Sequence, residues 1–340
     1  MGTAILHLFG EKRPGRAGRR LSAAVLVLLA VLALTHIPRI TAAFGEMGMY
    51  LGYRFILRAL AVGSLVALCA ALLGVILVLK RYSMIGDGLS HVGFGALTCA
   101  VALGCVTAEG LPRFLPEGAR TALAGLCAAV SESPLVLTLI VVSVCAVLLL
   151  RVSQNAALHG DSAIALISTS SLALGVIVTS SVSGMNIDVY NYMFGSILAI
   201  GESDVPLSVG LCAAVIAMFV ILYPRIFAVT FDEAFFRANG GPARLCNTLI
   251  ALMTAVTIVL GMRLMGTMLI SSLIIFPALT ALRLFGSYRK AVICAAIVSV
   301  VCFAAGIMLS CVASLPAGAG IVAVNLCAFL LANIIRSLRS

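Results

Sequence analysis

Apolar residues in this chain come in long unbroken runs, not in the half-apolar stripes of a water-soluble helix. The runs at 21–38, 55–79, 87–106, 134–151, 162–182, 205–223, 245–262, 265–284, 290–311 and 319–336 approach the roughly 20 residues that carry a helix across a bilayer. None shows the sustained alternation of a half-buried strand. A lipid core admits only structures that satisfy their backbone N–H and C=O groups internally, which favours helices here. The pattern predicts an all-α, polytopic transmembrane bundle of about 8–10 spanning helices. Residues 1–20 read as a basic cytoplasmic tail, and 107–133 as the longest outer loop. Residues 183–204 are semi-polar and too broken to span, which suits a short or re-entrant helix lining a cavity.

Composition agrees with a membrane protein. The chain has 340 residues, of which 62% are hydrophobic and only 10% charged, and its mean hydropathy is +1.20. A soluble domain with so few charges would expose large apolar patches. The net charge of +10 does not point to nucleic acid, because the basic residues sit at the ends of the runs. With the N-terminus inside, Arg13, Arg16, Arg19, Arg20, Lys80, Arg81, Arg151, Arg225, Arg237, Arg244, Arg283, Arg289, Lys290, Arg336 and Arg339 fall on cytoplasmic ends, while Arg39, Arg54, Arg113, Arg120 and Arg263 fall outside. That bias follows the positive-inside rule and places both termini in the cytoplasm. The 11 cysteines are scattered singly, with no CxxC pair, and read as small polarizable core residues. Thr35-His36-Ile37-Pro38-Arg39 is a poor signal-peptide cleavage site, so 21–38 is expected to be a retained extra N-terminal helix.

Against this apolar background the few ionisable residues inside the runs are informative. Asp87 and His91 are four residues apart, on one face of a helix and one turn from each other. Ionisable groups at membrane depth are expensive and tend to face a pathway. A carboxylate oxygen and an imidazole nitrogen also make half a site for a divalent transition metal. The same pair is compatible with a hydrogen bond that locks helices together, or with Asp87 acting as a helix N-cap beside Lys80 and Arg81. Asp188, near Tyr190 and Asn191, is a further candidate for the outer mouth of a pathway, or a loop cap. Pro277 interrupts the backbone ladder of its run and predicts a kink, either a hinge or static packing.

The loop at 224–244 differs from the others. Phe231-Asp232-Glu233-Ala234-Phe235-Phe236-Arg237-Ala238-Asn239-Gly240-Gly241 can form a short amphipathic helix, with Asp232 as its cap and the glycine pair as its stop. Its apolar side fits either a groove on a soluble partner or the bilayer surface. There is no Gly-x-x-x-x-Gly-Lys-Ser/Thr, and none of the three lysines follows a glycine, so no P-loop is present. His-Glu-x-x-His and Gly-x-Ser-x-Gly are absent too. Asp87 has no convincing second membrane aspartate for proteolysis. The chain reads as a non-enzyme.

Five stretches, in order along 53–336, resemble the membrane permeases of ABC importers for zinc, manganese and iron. They are Arg81 through Gly86-Asp87 to Ser90-His91, Gly160-Asp161 through Ala173-Leu174-Gly175, Asp188 with Phe194-Gly195-Ser196-Ile197-Leu198-Ala199, Met265-Gly266-Thr267 through Phe276-Pro277-Ala278, and Ala317-Gly318-Ala319-Gly320. Residues 21–38 and 107–133 are additions to that pattern. Some zinc permeases of the family carry a histidine where this chain has Ile167-Ser168-Thr169-Ser170-Ser171, whereas manganese members commonly have hydroxyls. The resemblance implies a permease domain over 53–336 in a bacterial cytoplasmic membrane, working as a homodimer. A separate cytoplasmic ATPase would dock on Asp232, Glu233, Ala234, Phe235, Arg237 and Gly240, and an extracytoplasmic metal-binding protein would deliver the ion. It implies no resident cofactor. The metal is cargo, zinc first with manganese and iron as further candidates, and ATP belongs to the partner. Asp87 and His91, with Asp188, would then line the metal pathway. The alternative is a self-contained secondary metal transporter or channel.

Overall fold

A computed structural model of the chain describes residues 53–104, 125, 134–153, 160–181, 202, 204–313 and 315–339. The predicted extra helix at 21–38, most of the loop at 107–133 and the segment around Asp188 lie outside the described residues. Every predicted run from 55–79 onward is a helix. In chain order these are α1 (Arg54–Leu79), α2 (Ile85–Gly104), α3 (Pro134–Ser153), α4 (Gly160–Ser181), α5 (Asp204–Phe231), the short α6 (Glu233–Ala238), α7 (Ala243–Met265), α8 (Thr267–Leu284), α9 (Tyr288–Ala313) and α10 (Ala317–Arg339). No strand occurs among the described residues. Eight of these helices are long and apolar enough to cross a membrane. Of the long helices only α2 falls short, because Asp87, His91 and its glycines dilute its apolar content.

The centre of the bundle is α1, 78% buried over its most apolar stretch, together with α7 at 72% and α8 at 61%; the corresponding figure for α4 is 17%. Lipid tails are as apolar as leucine, so burial alone does not draw helices together in a membrane; close van der Waals packing does. Small residues supply it. Ala67, Ala70, Ala71 and Gly74 form a buried series along α1, and a Cβ at Gly74 would stand 2.0 Å from the carbonyl oxygen of Ile274 on α8. Only glycine allows that approach. Around this centre, α9 packs on α1 and α8, α10 packs on α8 and α9, α5 packs on α1 and α7, and α2 packs on α4, α3, α7 and α8.

Buried hydroxyls are satisfied locally. Thr254, Thr257 and Thr280 donate to carbonyls one turn back at 2.7–2.9 Å, so they cost the apolar interior little. Ser299 instead reaches across from α9 to the Ala67 carbonyl of α1 at 2.8 Å.

Two boundaries differ from the sequence pattern. The run ending at 223 continues as helix through Pro224 to Phe231. Proline removes one ladder bond, but Tyr223, Phe227 and Phe231 all pack against Tyr288 of α9, with ring centroids 5.2–5.7 Å apart. That aromatic cluster holds the helix past its break. At the other boundary, α7 and α8 meet at a single residue, Gly266, with φ 89° and ψ 160°. This backbone region is essentially restricted to glycine.

Candidate functional site

The first candidate region lies where α1 passes into α2. Lys80 ends α1, and Arg81 adopts the left-handed conformation at φ 61°. The amides of Arg81 and Tyr82 donate back to Val78 and Leu77 at 3.1 and 2.7 Å, the paired bonds of a Schellman turn with arginine in the usual glycine place. Ile85 N–H then bonds the Tyr82 carbonyl at 3.0 Å and α2 begins. Asp87 therefore lies inside the first turn of α2, not at its N-cap, which corrects the capping expectation. At that position the helix macrodipole favours its negative charge.

Asp87 and His91 do share one face. His91 Nε2 stands 3.8 Å from Asp87 Oδ2, with the imidazole side chain 18% exposed and the carboxylate 59% exposed. That distance exceeds a hydrogen bond, so the alternative of an Asp–His hydrogen-bonded lock is not formed. Asp87 is tied to another helix differently, by Ser271 Oγ of α8, which lies 3.3 Å from Asp87 Oδ1 and also donates to the Thr267 carbonyl at 3.0 Å. His91 Nδ1 is buried without a hydrogen-bond partner among the described residues. A histidine kept for structure alone would be expected to engage its nitrogens, since an orphaned buried polar atom costs about 1–3 kcal/mol. Nε2, facing the carboxylate, is the nitrogen best placed to bind a cation. Among the described residues no group of three or more His, Cys, Asp and Glu side chains converges. One chain's described residues thus offer an open two-ligand start, not a closed cage.

Packing fixes the helix that carries this pair. A Cβ at Gly95 would come within 2.6 Å of the Ser171 carbonyl on α4, so α2 and α4 touch backbone to backbone. The hydroxyls at the position where some zinc permeases carry histidine face their own helix: Thr169 donates to Ala165 at 2.8 Å and Ser170 to Ile167 at 3.1 Å. Pro277 lies buried within α8, and the helix runs unbroken through it.

The second region is α6. Asp232 Oδ1 accepts the Phe235 amide at 2.8 Å as the N-cap, and Gly240 at φ 76° with Gly241 closes the helix through bonds to the Arg237 and Phe236 carbonyls. Phe236 packs on the core. Ala234, Phe235, Arg237 and Gly240 face outward, Phe235 being 67% exposed. Glu233 faces inward, which its place beside those residues in sequence does not reveal. Its Oε2 accepts from Asn247 Nδ2 of α7 at 3.0 Å and lies 3.5 Å from Lys80 Nζ, and its Oε1 accepts from Arg237 at 2.8 Å. Lys80 Nζ in turn donates to Asn247 Oδ1 at 2.6 Å. Burial works to raise the Glu233 pKa, but the Asn247 hydrogen bond and the charges of Lys80 and Arg237 outweigh it and hold the carboxyl below its ordinary value. Burial pushes the Lys80 ammonium down, and Glu233 opposes that shift. Sequence reasoning did not find Ser271 or Asn247. Asn247 belongs to no motif and Ser271 lies between the residues that mark one, and both acquire meaning only from what they face.

A bundle of membrane-length helices that carries a carboxylate–imidazole pair and a short capped helix on its surface defines the class as a multi-pass membrane protein. The sequence pattern of the ABC 3 transport family matches residues 52–336. The chain belongs to that family. It is 26% identical over 282 residues to the manganese transport system membrane protein MntC of Halalkalibacterium halodurans, covering 83% of this chain and 87% of that one. It is 28% identical over 274 residues to the high-affinity zinc uptake system membrane protein ZnuB of Buchnera aphidicola, covering 80% and 94%. The solved structure of PsaBC from Streptococcus pneumoniae in complex with Fab shares the fold, with a TM-score of 0.66 at 23% identity over 86% of this chain and 95% of that chain.

Proposed function

We propose that this chain is the membrane-spanning subunit of an ATP-driven importer for a divalent transition metal, zinc or manganese, in a bacterial cytoplasmic membrane. The observation that carries the reading is the Asp87–His91 pair: close enough to share one cation, short of bonding each other, and braced by Ser271. Relatives named for manganese and for zinc transport make these the two cargoes to test. Two ligands per chain suit a transit site, which must release what it binds. A second copy of the chain would complete the coordination shell. The thinly covered α4, with small residues Ala165, Thr169 and Ala173 on one exposed stripe, is the face on which such a copy can pack closely. With no P-loop in the sequence, ATP hydrolysis falls to a separate cytoplasmic ATPase docking on the outward side of α6, and an extracytoplasmic metal-binding protein would deliver the ion.

The test is uptake of labelled Zn²⁺ and Mn²⁺ in cells carrying the chain with an active or an inactivated ATP-binding-cassette partner. Loss of uptake with the inactive partner is the expected result. Undiminished uptake would make the chain a self-contained transporter. The metal whose uptake the other competes away least identifies the cargo.

A further inference from the structure

Lys80 is a costly residue to bury, and α6 does not need it in order to fold. The helix already has its Asp232 cap, its glycine stop and Phe236 on the core. Even so, the Lys80 side chain is only 8% exposed, with its ammonium between Asn247 and Glu233. Taking a charge out of water seldom adds net stability, and where such pairs are kept they can fix a geometry. The orientation of Asn247 is dictated by its neighbours: its oxygen faces the cation and its amide nitrogen faces the carboxylate. Turning the amide over would oppose like partners on both sides.

The knot joins three elements. Glu233 opens α6, Asn247 lies near the start of α7, and Lys80 ends α1. From Lys80 the backbone runs through the Schellman turn directly into the first turn of α2, where Asp87 lies. No slack loop separates the ammonium that grips α6 from the carboxylate of the metal pair. On the other side of α6, Phe235 and Arg237 face outward.

We infer that Lys80 is the positioning residue that couples α6 to the metal pair, gripping Glu233 and Asn247 so that a displacement of α6 moves the α1–α2 turn and with it Asp87. This rests on the reading of α6 as the docking site of an ATPase. Lys80 touches neither metal nor nucleotide. It determines how much metal moves for each ATP spent.

The experiment compares the full-length wild-type chain with Lys80→Met, co-expressed with its ATP-binding-cassette partner and reconstituted in liposomes, measuring ATP hydrolysis and the uptake of Zn²⁺ and Mn²⁺ separately. Lys80→Met should still carry the ATPase and hydrolyse ATP, while the metal moved per ATP falls about tenfold, the scale of losing a hydrogen bond to a charged group. Glu233→Gln keeps the shape at α6 and serves with the same ratio as readout if Lys80→Met is not recovered folded. The double variant should lose no more than the worse single variant, because both break one link. An unchanged ratio of metal to ATP in folded Lys80→Met, or losses that multiply in the double variant, would overturn the inference. If the wild-type chain binds no ATPase, the docking reading fails and the coupling role fails with it. If it binds one and the variants couple normally, only the role of Lys80 fails.

Discussion

Two acid–base constellations lie at opposite ends of the α1–α2 turn, and they are built in opposite ways. In the knot at α6 both Glu233 oxygens and both polar atoms of Asn247 are engaged, with Lys80 almost wholly covered. In the pair on α2 the carboxylate and imidazole stand 3.8 Å apart, Asp87 is more than half exposed and His91 Nδ1 has no partner among the described residues. A saturated network has no capacity left for a new partner and resists movement. An unsaturated pair keeps lone pairs available to a cation. The same residue chemistry makes a clamp in one place and a landing site in the other.

Substitution should separate the two by what is lost. Asp87→Asn or His91→Ala is expected to lower metal uptake about a hundredfold, at the upper end of effects seen when metal-site partners are removed. The melting of purified Asp87→Asn should hardly move, because so exposed a carboxylate adds little to stability. Normal uptake in both variants would remove the pair from the pathway. Glu233→Ala should do the reverse at the level of the fold, costing about 3 kcal/mol in denaturation by leaving Lys80 buried without its counter-charge, and weakening co-purification of the ATPase. Since Glu233 is held below its ordinary carboxylate pKa of 4.5, the stability it adds is fully present above that pH. It is lost as the pH falls through the depressed folded value, so wild type and Glu233→Gln should differ in melting at neutral pH and converge in strong acid. Ser271→Ala is the mildest probe. It removes one shared hydrogen bond to Asp87, worth about 1 kcal/mol, and should reduce uptake several-fold with assembly intact; an uptake equal to wild type would mean that Ser271 serves only α8.

Local signals explain which features the sequence revealed. The spanning helices from α1 onward follow from apolar run length alone, since a bilayer sets that length directly. The start and stop of α6 were readable because Asp232 and Gly240 act within a few residues of their own positions. The spacing of Asp87 and His91 put them on one face for the same reason. Pro224 misled the pattern: its local penalty is real, but the rings of Tyr223, Phe227 and Phe231 on Tyr288 decide the outcome, and Tyr288 belongs to a distant helix.

Residue pattern alone was enough for an all-α membrane bundle, the order of its helices, the shared face of Asp87 and His91, and a capped amphipathic helix between α5 and α7. Each depends on helical periodicity or on bonds that close within a turn. It took the packed bundle to turn Glu233 inward to Lys80 and Asn247, to brace Asp87 with Ser271, and to keep Asp87 and His91 from bonding each other. Those outcomes depend on contacts between separate helices, 167 positions apart for Lys80–Asn247 and 184 for Asp87–Ser271, or on the distance across one helical turn. Helix packing fixes such distances, and the linear spacing of residues does not.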